Sequence, residues 1–231
     1  MSFFNPAEPL VRCKQTTLDV QDLQGVLRID YRIGKVKLFS GLYTRIDQTF
    51  LAWGWITAII FGVAQFSAVS WRDQAILWSA LTVVGVVLMA SLAWFWVKVE
   101  RLRWVVYTWA VLMLLGIGLT DGGIFWGWGW VLLNLCQIWL GVSAVGYLLT
   151  GWGLRSRTFL LAGAIHMAGI ALLPLAGSLP FLFSGFVIAG TLIFLSEVQW
   201  DMRPPSASDF LTAEENAFNQ AQQALRSSSY G

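Results

Sequence analysis

Between positions 50 and 200, 151 consecutive residues carry only ten charged side chains, whereas the 49 residues before them carry twelve and the 31 after them six. Ionisable groups are costly in hydrocarbon, and the ten cluster at the ends of apolar stretches. With 57% hydrophobic and 12% charged residues overall, the chain is neither a disordered segment nor an ordinary soluble domain, in which about a quarter of residues are charged. A bilayer is the solvent that this middle section fits.

About 20 apolar residues span the hydrocarbon core as a helix. Six stretches meet or approach that length: 50–70, 75–97, 104–120, 124–149, 158–175 and 179–196. The separators between them are short, among them Asp121-Gly122-Gly123 and Ala176-Gly177-Ser178. The expected fold is therefore an all-α integral membrane protein. Its six transmembrane helices form three antiparallel hairpins in residues 50–200, between an N-terminal segment, 1–49, and a tail, 201–231.

Lys and Arg set the direction. The N-terminal segment, the even-numbered connectors and the tail together hold 14, and the opposite side holds only Arg72. By the positive-inside rule both termini are expected in the cytoplasm, in a bacterial inner membrane or a thylakoid membrane. Residues 1–9 lack the pattern of a cleavable signal, and the first apolar stretch is read as a permanent span. The net charge of +2, with no continuous basic block, gives no reason to expect a nucleic-acid partner. Most of the 14 tryptophans fall near span ends, as an interfacial belt requires; Trp139 lies deeper and is expected to pack in the core.

The three expected hairpins begin at Phe50, Trp104 and Thr158, 54 residues apart, with small residues at matched places: Gly62, Gly116 and Gly169, then Gly85, Gly141 and Gly185. A threefold repeat and the ordinary abundance of glycine in membrane helices both account for this spacing.

The polar ends have patterns of their own. Leu27, Ile29, Tyr31 and Ile33 alternate with polar residues, and Val36 and Leu38 continue after Gly34-Lys35. This is the signature of a small β-hairpin with one apolar face, expected to pair Ile33 with Val36, Tyr31 with Leu38 and Leu27 with Leu42. A lone two-stranded ribbon is marginal in water. Those six apolar residues are therefore candidate partner-binding positions, against lipid, the membrane helices or another subunit. In the tail, Arg203-Pro204-Pro205-Ser206 reads as an extended linker, Thr212-Ala213-Glu214-Glu215 as a capping box for a helix to about Leu225, and residues 227–231 as frayed.

His166 is the one ionisable residue placed near a bilayer midplane, and Ala162, Gly163 and Gly169 are its helical neighbours. Two readings compete: a packing histidine bonded to a carbonyl, Asn134 or Gln137, or the axial ligand of one chlorophyll or haem. Cys13 and Cys136 lie in different environments and suggest neither a disulfide nor a metal site. No paired His, paired carboxylate, Cys-x-x-Cys or phosphate loop is present, and Ser184 lies too far outward to pair with His166 for proteolysis. Asp121 and Glu197 are placed at span edges, which disfavours a coupled carrier. The expected function is a non-enzymatic accessory or assembly subunit of a larger membrane complex, in a photosynthetic or respiratory membrane. A small-solute transporter or channel and a pigment-binding protein are the alternatives.

Overall fold

The computed structural model describes residues 3–5, 8–14, 17–33, 36–204 and 207–228, with backbone only at 31, 33, 36–39, 227 and 228. The protein is predominantly helical, and six of its helices are long and apolar enough to cross a membrane. In chain order these are α2 (Arg45–Phe66), α3 (Trp71–Val99), α4 (Arg103–Trp126), α6 (Leu135–Leu154), α7 (Arg157–Leu172, extended by a 3₁₀ turn at Leu173–Ala176) and α8 (Pro180–Glu197). It is a multi-pass membrane protein. The short elements are β1 (Val11–Arg12), α1 (Val20–Leu23), β2 (Leu27–Ile33), β3 (Val36–Tyr43), α5 (Gly129–Leu133), β4 (Gln199–Trp200) and α9 (Ala213–Ser228).

Local chemistry sets the helix ends. Thr44 and Asp47 form a capping box that starts α2 five residues before the expected Phe50. Ser70 caps α3 through the backbone N–H of Asp73, and Ser156 caps α7 through that of Phe159. One boundary differs in kind. Asp121-Gly122-Gly123 is not a connector: α4 runs through it to Trp126 and stops at Gly127, whose φ of +69° is the left-handed cap that glycine tolerates. The two glycines are instead seats, because a Cβ on Gly122 or Gly123 would lie 2.8 Å from Trp128 or Val131. The expected fourth span, 124–149, is accordingly divided among the end of α4, α5 and α6.

Lateral packing also departs from sequential hairpins. The closest pairs are α2 with α8, α6 with α7, and α3 with α4, so the first and last spans meet and close a ring. Half of the most apolar stretch of α6 is buried inside the protein, against a third or less in the other five, which makes α6 the central helix. Complementary surfaces explain these choices. Phe61 of α2 fills the notch at Gly185 of α8, and Ile193 of α8 fills the notch at Gly54 of α2. Gln65 joins the same two helices, donating to the Ser178 carbonyl at 3.1 Å and accepting from the Leu182 N–H at 3.2 Å.

The α4–α6 contact is reciprocal. Trp109 of α4 lies on Gly146 of α6 and donates to Thr150 Oγ1 at 2.9 Å; Trp139 of α6 lies on Gly116 of α4 and donates to Thr120 Oγ1 at 3.1 Å. Each threonine in turn donates 2.8 Å back to the glycine carbonyl of its own helix. Both helices thus carry the same Trp-x₆-Gly-x₃-Thr string, and antiparallel packing sets each tryptophan on the other's glycine. A Cβ at Gly116 would lie 2.8 Å from the Trp139 ring, whereas no described atom lies within 4 Å of one at Gly62. Gly116→Ala is expected to cost about 1–3 kcal/mol and Gly62→Ala essentially nothing; denaturant unfolding of the two variants in mild detergent checks the contrast.

Both ends of the chain gather at one end of the bundle, hereafter the basic end. There β1 pairs antiparallel with β4, Val11 opposite Trp200. β2 and β3 pair antiparallel with Ile33 opposite Val36. A bulge between Tyr31 and Arg32 shifts the rest, so Tyr31 faces Phe39 and Leu27 faces Tyr43 instead of Leu38 and Leu42. The Gly34-Lys35 turn lies outside the described residues. In the tail, Thr212 and Glu215 exchange the two bonds of a capping box, at 2.7 and 3.2 Å, and α9 runs to Ser228; Pro205, Ser206 and residues 229–231 lie outside the described residues.

Candidate functional site: a cavity inside the ring

All six spans line a cavity of about 150 Å³, with α7 contributing only Phe159. Its lining residues on α4 run from Val105 to Asp121, a rise of roughly 24 Å at 1.5 Å per residue. The space is therefore long and narrow. Its walls are overwhelmingly apolar and aromatic, with Trp53, Trp96, Trp109, Trp139 and Tyr147 among them. The Trp–Thr clasps of α4 and α6 form part of the wall, so indoles that would otherwise expose an N–H to this space have it satisfied by threonine.

The two ends differ. At the basic end the cavity is floored by Trp96, Phe159 and Trp200, with Phe159 and Trp200 edge to face at 4.9 Å. At the far end it reaches Trp78, Ser79 and Asp121. Ser79 donates to Asp121 Oδ2 at 2.8 Å, which ties α3 to α4. Asp121 Oδ1 and Trp78 Nε1 are buried without a hydrogen-bond partner among the described residues. Buried polar atoms are nearly always paired; the Tyr147 hydroxyl in the wall is a third without a described partner, and the far end is marked out by having two.

Behind the floor lies a polar layer built from both chain ends. Trp96 Nε1 donates to Asp22 at 2.9 Å, and Gln21 donates to Glu100 and accepts from Asn219, both at 2.9 Å. Arg226 of α9 holds both oxygens of Asp19, at 2.9 and 3.0 Å. Burial pushes the Asp22 carboxyl up to about 7, with the Asp19 charge adding to it; burial likewise pushes Glu100 up to about 7 against the pull of Arg203. Asp201 goes the other way. Burial alone would raise it, but bonds from Thr158 and Arg157 outweigh burial and hold it below the ordinary carboxylate value.

His166 is fully buried in α7 and is not among the cavity's lining residues. Its Nδ1 lies 2.8 Å from the Ala162 carbonyl, its ring is tilted 4.9 Å from that of Tyr147, and Nε2 has no partner among the described residues. The small residues beside it are used for packing: Leu148 occupies the notch at Gly163, and Leu140 and Val187 lie against Gly169. Of the partner-binding candidates, Leu27 is 49% and Ile29 39% exposed, while the side chains of Tyr31, Ile33, Val36 and Leu38 lie outside the described residues. Tyr43, opposite Leu27, is buried and donates to Glu197 at 2.8 Å, which anchors the ribbon to the end of α8.

Of the cavity residues the sequence singled out Trp139, as a core-packing residue, and Asp121, as a span-edge charge, but not the site they share. The signal was present, since Trp109, Gly116 and Thr120 recur 30 residues later as Trp139, Gly146 and Thr150, a shorter period than the 54-residue spacing of the hairpins. Comparison of the chain with protein-family models, with curated proteins and with solved structures finds no match in any of the three.

Proposed function

We propose that this protein binds an elongated apolar molecule inside the membrane, and that it acts by holding or passing on that molecule rather than by making or breaking bonds. The observation that carries this reading is the long aromatic-walled cavity lined by all six spans. Membrane helices ordinarily close on one another through small residues and side-chain interdigitation, and the other helix contacts of this protein do so. An apolar space kept open along most of the bundle is a departure that a ligand explains. About 150 Å³ is the room that one benzene-sized group takes, so drawn out over roughly 24 Å it is a thin seam that an alkyl chain enters by moving the lining rings aside. It suits an acyl or isoprenoid chain better than a flat tetrapyrrole.

The 14-to-1 distribution of Lys and Arg supports a cytoplasmic location for both termini, in a bacterial inner membrane or thylakoid membrane. The test is extraction of lipophilic molecules from purified protein, followed by mass spectrometry. The expected result is one apolar species at near-stoichiometric yield. Filling the slot with Ser143→Phe, a substitution of a buried lining residue, is expected to lower that yield at least about tenfold, a loss of roughly 1.4 kcal/mol. An unchanged yield would count against the cavity as the binding site.

A second reading, an accessory or assembly subunit of a larger complex, is favoured by the β2–β3 ribbon. Leu27 and Ile29 present apolar surface beyond the bundle, as a strand pair does when another surface completes it. Loss of a large native complex after Leu27→Asp with Ile29→Asp, while the isolated protein still folds, is the expected result.

A further inference from the structure

We infer that the bound molecule carries a hydroxyl head group, seated at the Trp78–Ser79–Asp121 end of the cavity. This rests on the reading of the cavity as a ligand site and adds the chemistry of one end of the ligand. Trp78 is 6% exposed, lines the cavity and offers an indole N–H that no described residue accepts. Indole is a donor only, so the ligand must supply an acceptor. Asp121 Oδ2 is held by Ser79 at 2.8 Å, while Oδ1 is buried and unpaired. An ionised Asp121 needs a donor at Oδ1, and a protonated one can also offer a proton there.

A hydroxyl meets each of these demands. Its oxygen accepts from Trp78, and its proton goes to Asp121 Oδ1; if Asp121 is protonated, the same oxygen has a second lone pair to accept with. An ammonium head satisfies Asp121 but has no lone pair for Trp78. A carboxylate accepts from Trp78 but sets a second negative charge beside Asp121 in a medium of low dielectric. A hydrocarbon leaves both orphans buried and unpaired, at full desolvation cost. The wall between this end and the floor fits the rest of the molecule: Trp109 and Trp139 have their N–H groups taken by Thr150 and Thr120 and present only ring surface to a chain.

The experiment uses full-length protein in lipid nanodiscs and tritiated 1-hexadecanol, with unlabelled hexadecane and hexadecylamine as competitors. Hexadecanol is expected to be retained, and each competitor to displace it at least about tenfold less well than unlabelled hexadecanol. Trp78→Phe removes the donor and keeps an aromatic ring; it is expected to weaken hexadecanol about fivefold and to leave labelled hexadecane binding unchanged, which also reports that the variant folds. Asp121→Asn keeps an acceptor and is expected to hold hexadecanol within about twofold. Equal binding of hexadecane and hexadecanol, or no effect of Trp78→Phe on hexadecanol, overturns the hydroxyl head and leaves the cavity reading standing. Preference for hexadecylamine, lost in Asp121→Asn, overturns it in favour of a cation. Failure of all three to bind overturns the cavity reading itself and the head group with it.

Discussion

Asp201→Ala is expected to destabilise the protein by about 3–5 kcal/mol, measured by denaturant unfolding in mild detergent. The side chain sits just beyond α8 and accepts five hydrogen bonds at the start of α7. They come from Ser156 Oγ at 2.9 Å, Arg157 N and Nε at 3.0 and 2.9 Å, and Thr158 N and Oγ1 at 3.0 and 2.7 Å. A carboxylate at a helix N-terminus also meets the positive end of the helix dipole. Removing it leaves the buried Thr158 N–H and Arg157 Nε without their acceptor, although the guanidinium still donates to the Glu8 carbonyl. The backbone of the same residue donates to the Leu10 carbonyl at 3.2 Å, so β1, α7 and the end of α8 share one fastening point. Asp209→Ala is the matched control: its ion pair with Arg101 spans 3.2 Å, but the side chain is 92% exposed, and such surface pairs contribute little. No measurable change is expected there. Because Asp201 titrates below its ordinary value in the folded protein, its contribution is present above about pH 4 and is lost as pH falls through the folded value.

Asp22 and Glu100 have the opposite sign. Both are pushed up to about 7 in the folded state, chiefly by burial. A carboxyl whose folded value is raised favours folding below its unfolded value, near 4, and that contribution is lost as pH rises through about 7. The polar layer at the basic end is therefore expected to lose this stabilisation between about pH 4 and 7. Asp22→Asn keeps the acceptor for Trp96 Nε1, and Glu100→Gln keeps the acceptor for Gln21 Nε2. Each removes a buried negative charge without removing the bond. Both variants are expected to match the unaltered protein near pH 4 and to exceed its stability at pH 8 by about 1–3 kcal/mol. Thermal melts at the two pH values decide the matter, and a gap of the same size at both would refute the linkage. Trp96 lines the cavity and bonds Asp22, so the same titration acts on the cavity floor.

The spans were legible because hydropathy and charge placement are properties of single stretches. Thr212 with Glu215, and the alternation from Leu27 to Ile33, were legible for the same reason: each is a local pattern with a local cause. Contacts between distant stretches were not. Short connectors between Phe66 and Trp71 or between Ala176 and Pro180 limit how far apart two helices can lie, but not which face each presents. Which faces meet is set by side chains seated on glycines of the neighbouring helix, as with Trp53 on Gly85, Phe61 on Gly185 and Leu148 on Gly163. Asp121-Gly122-Gly123 misled for a specific reason. A charge followed by two glycines is ordinary connector chemistry, yet here the charge bonds Ser79 across the bundle and the glycines receive Trp128 and Val131. His166 attracted notice by its rarity. Its Nδ1 is bonded to Ala162 and its ring lies on Tyr147, whereas the orphaned polar atoms beside the cavity belong to Tyr147 and to a tryptophan and an aspartate that looked interfacial.

The meeting of the first and last spans has a consequence for synthesis. A ribosome releases α2 and β1 long before α8 and β4 exist, so for most of translation Phe61 and Val11 have no counterpart at Gly185 or Trp200. The seam between α2 and α8 stays open to surrounding lipid until the chain is nearly complete. Under the proposed reading, a molecule bound in the interior has a sideways route in through this gap before the final span shuts it, which would make loading a matter of biogenesis as much as of the finished protein.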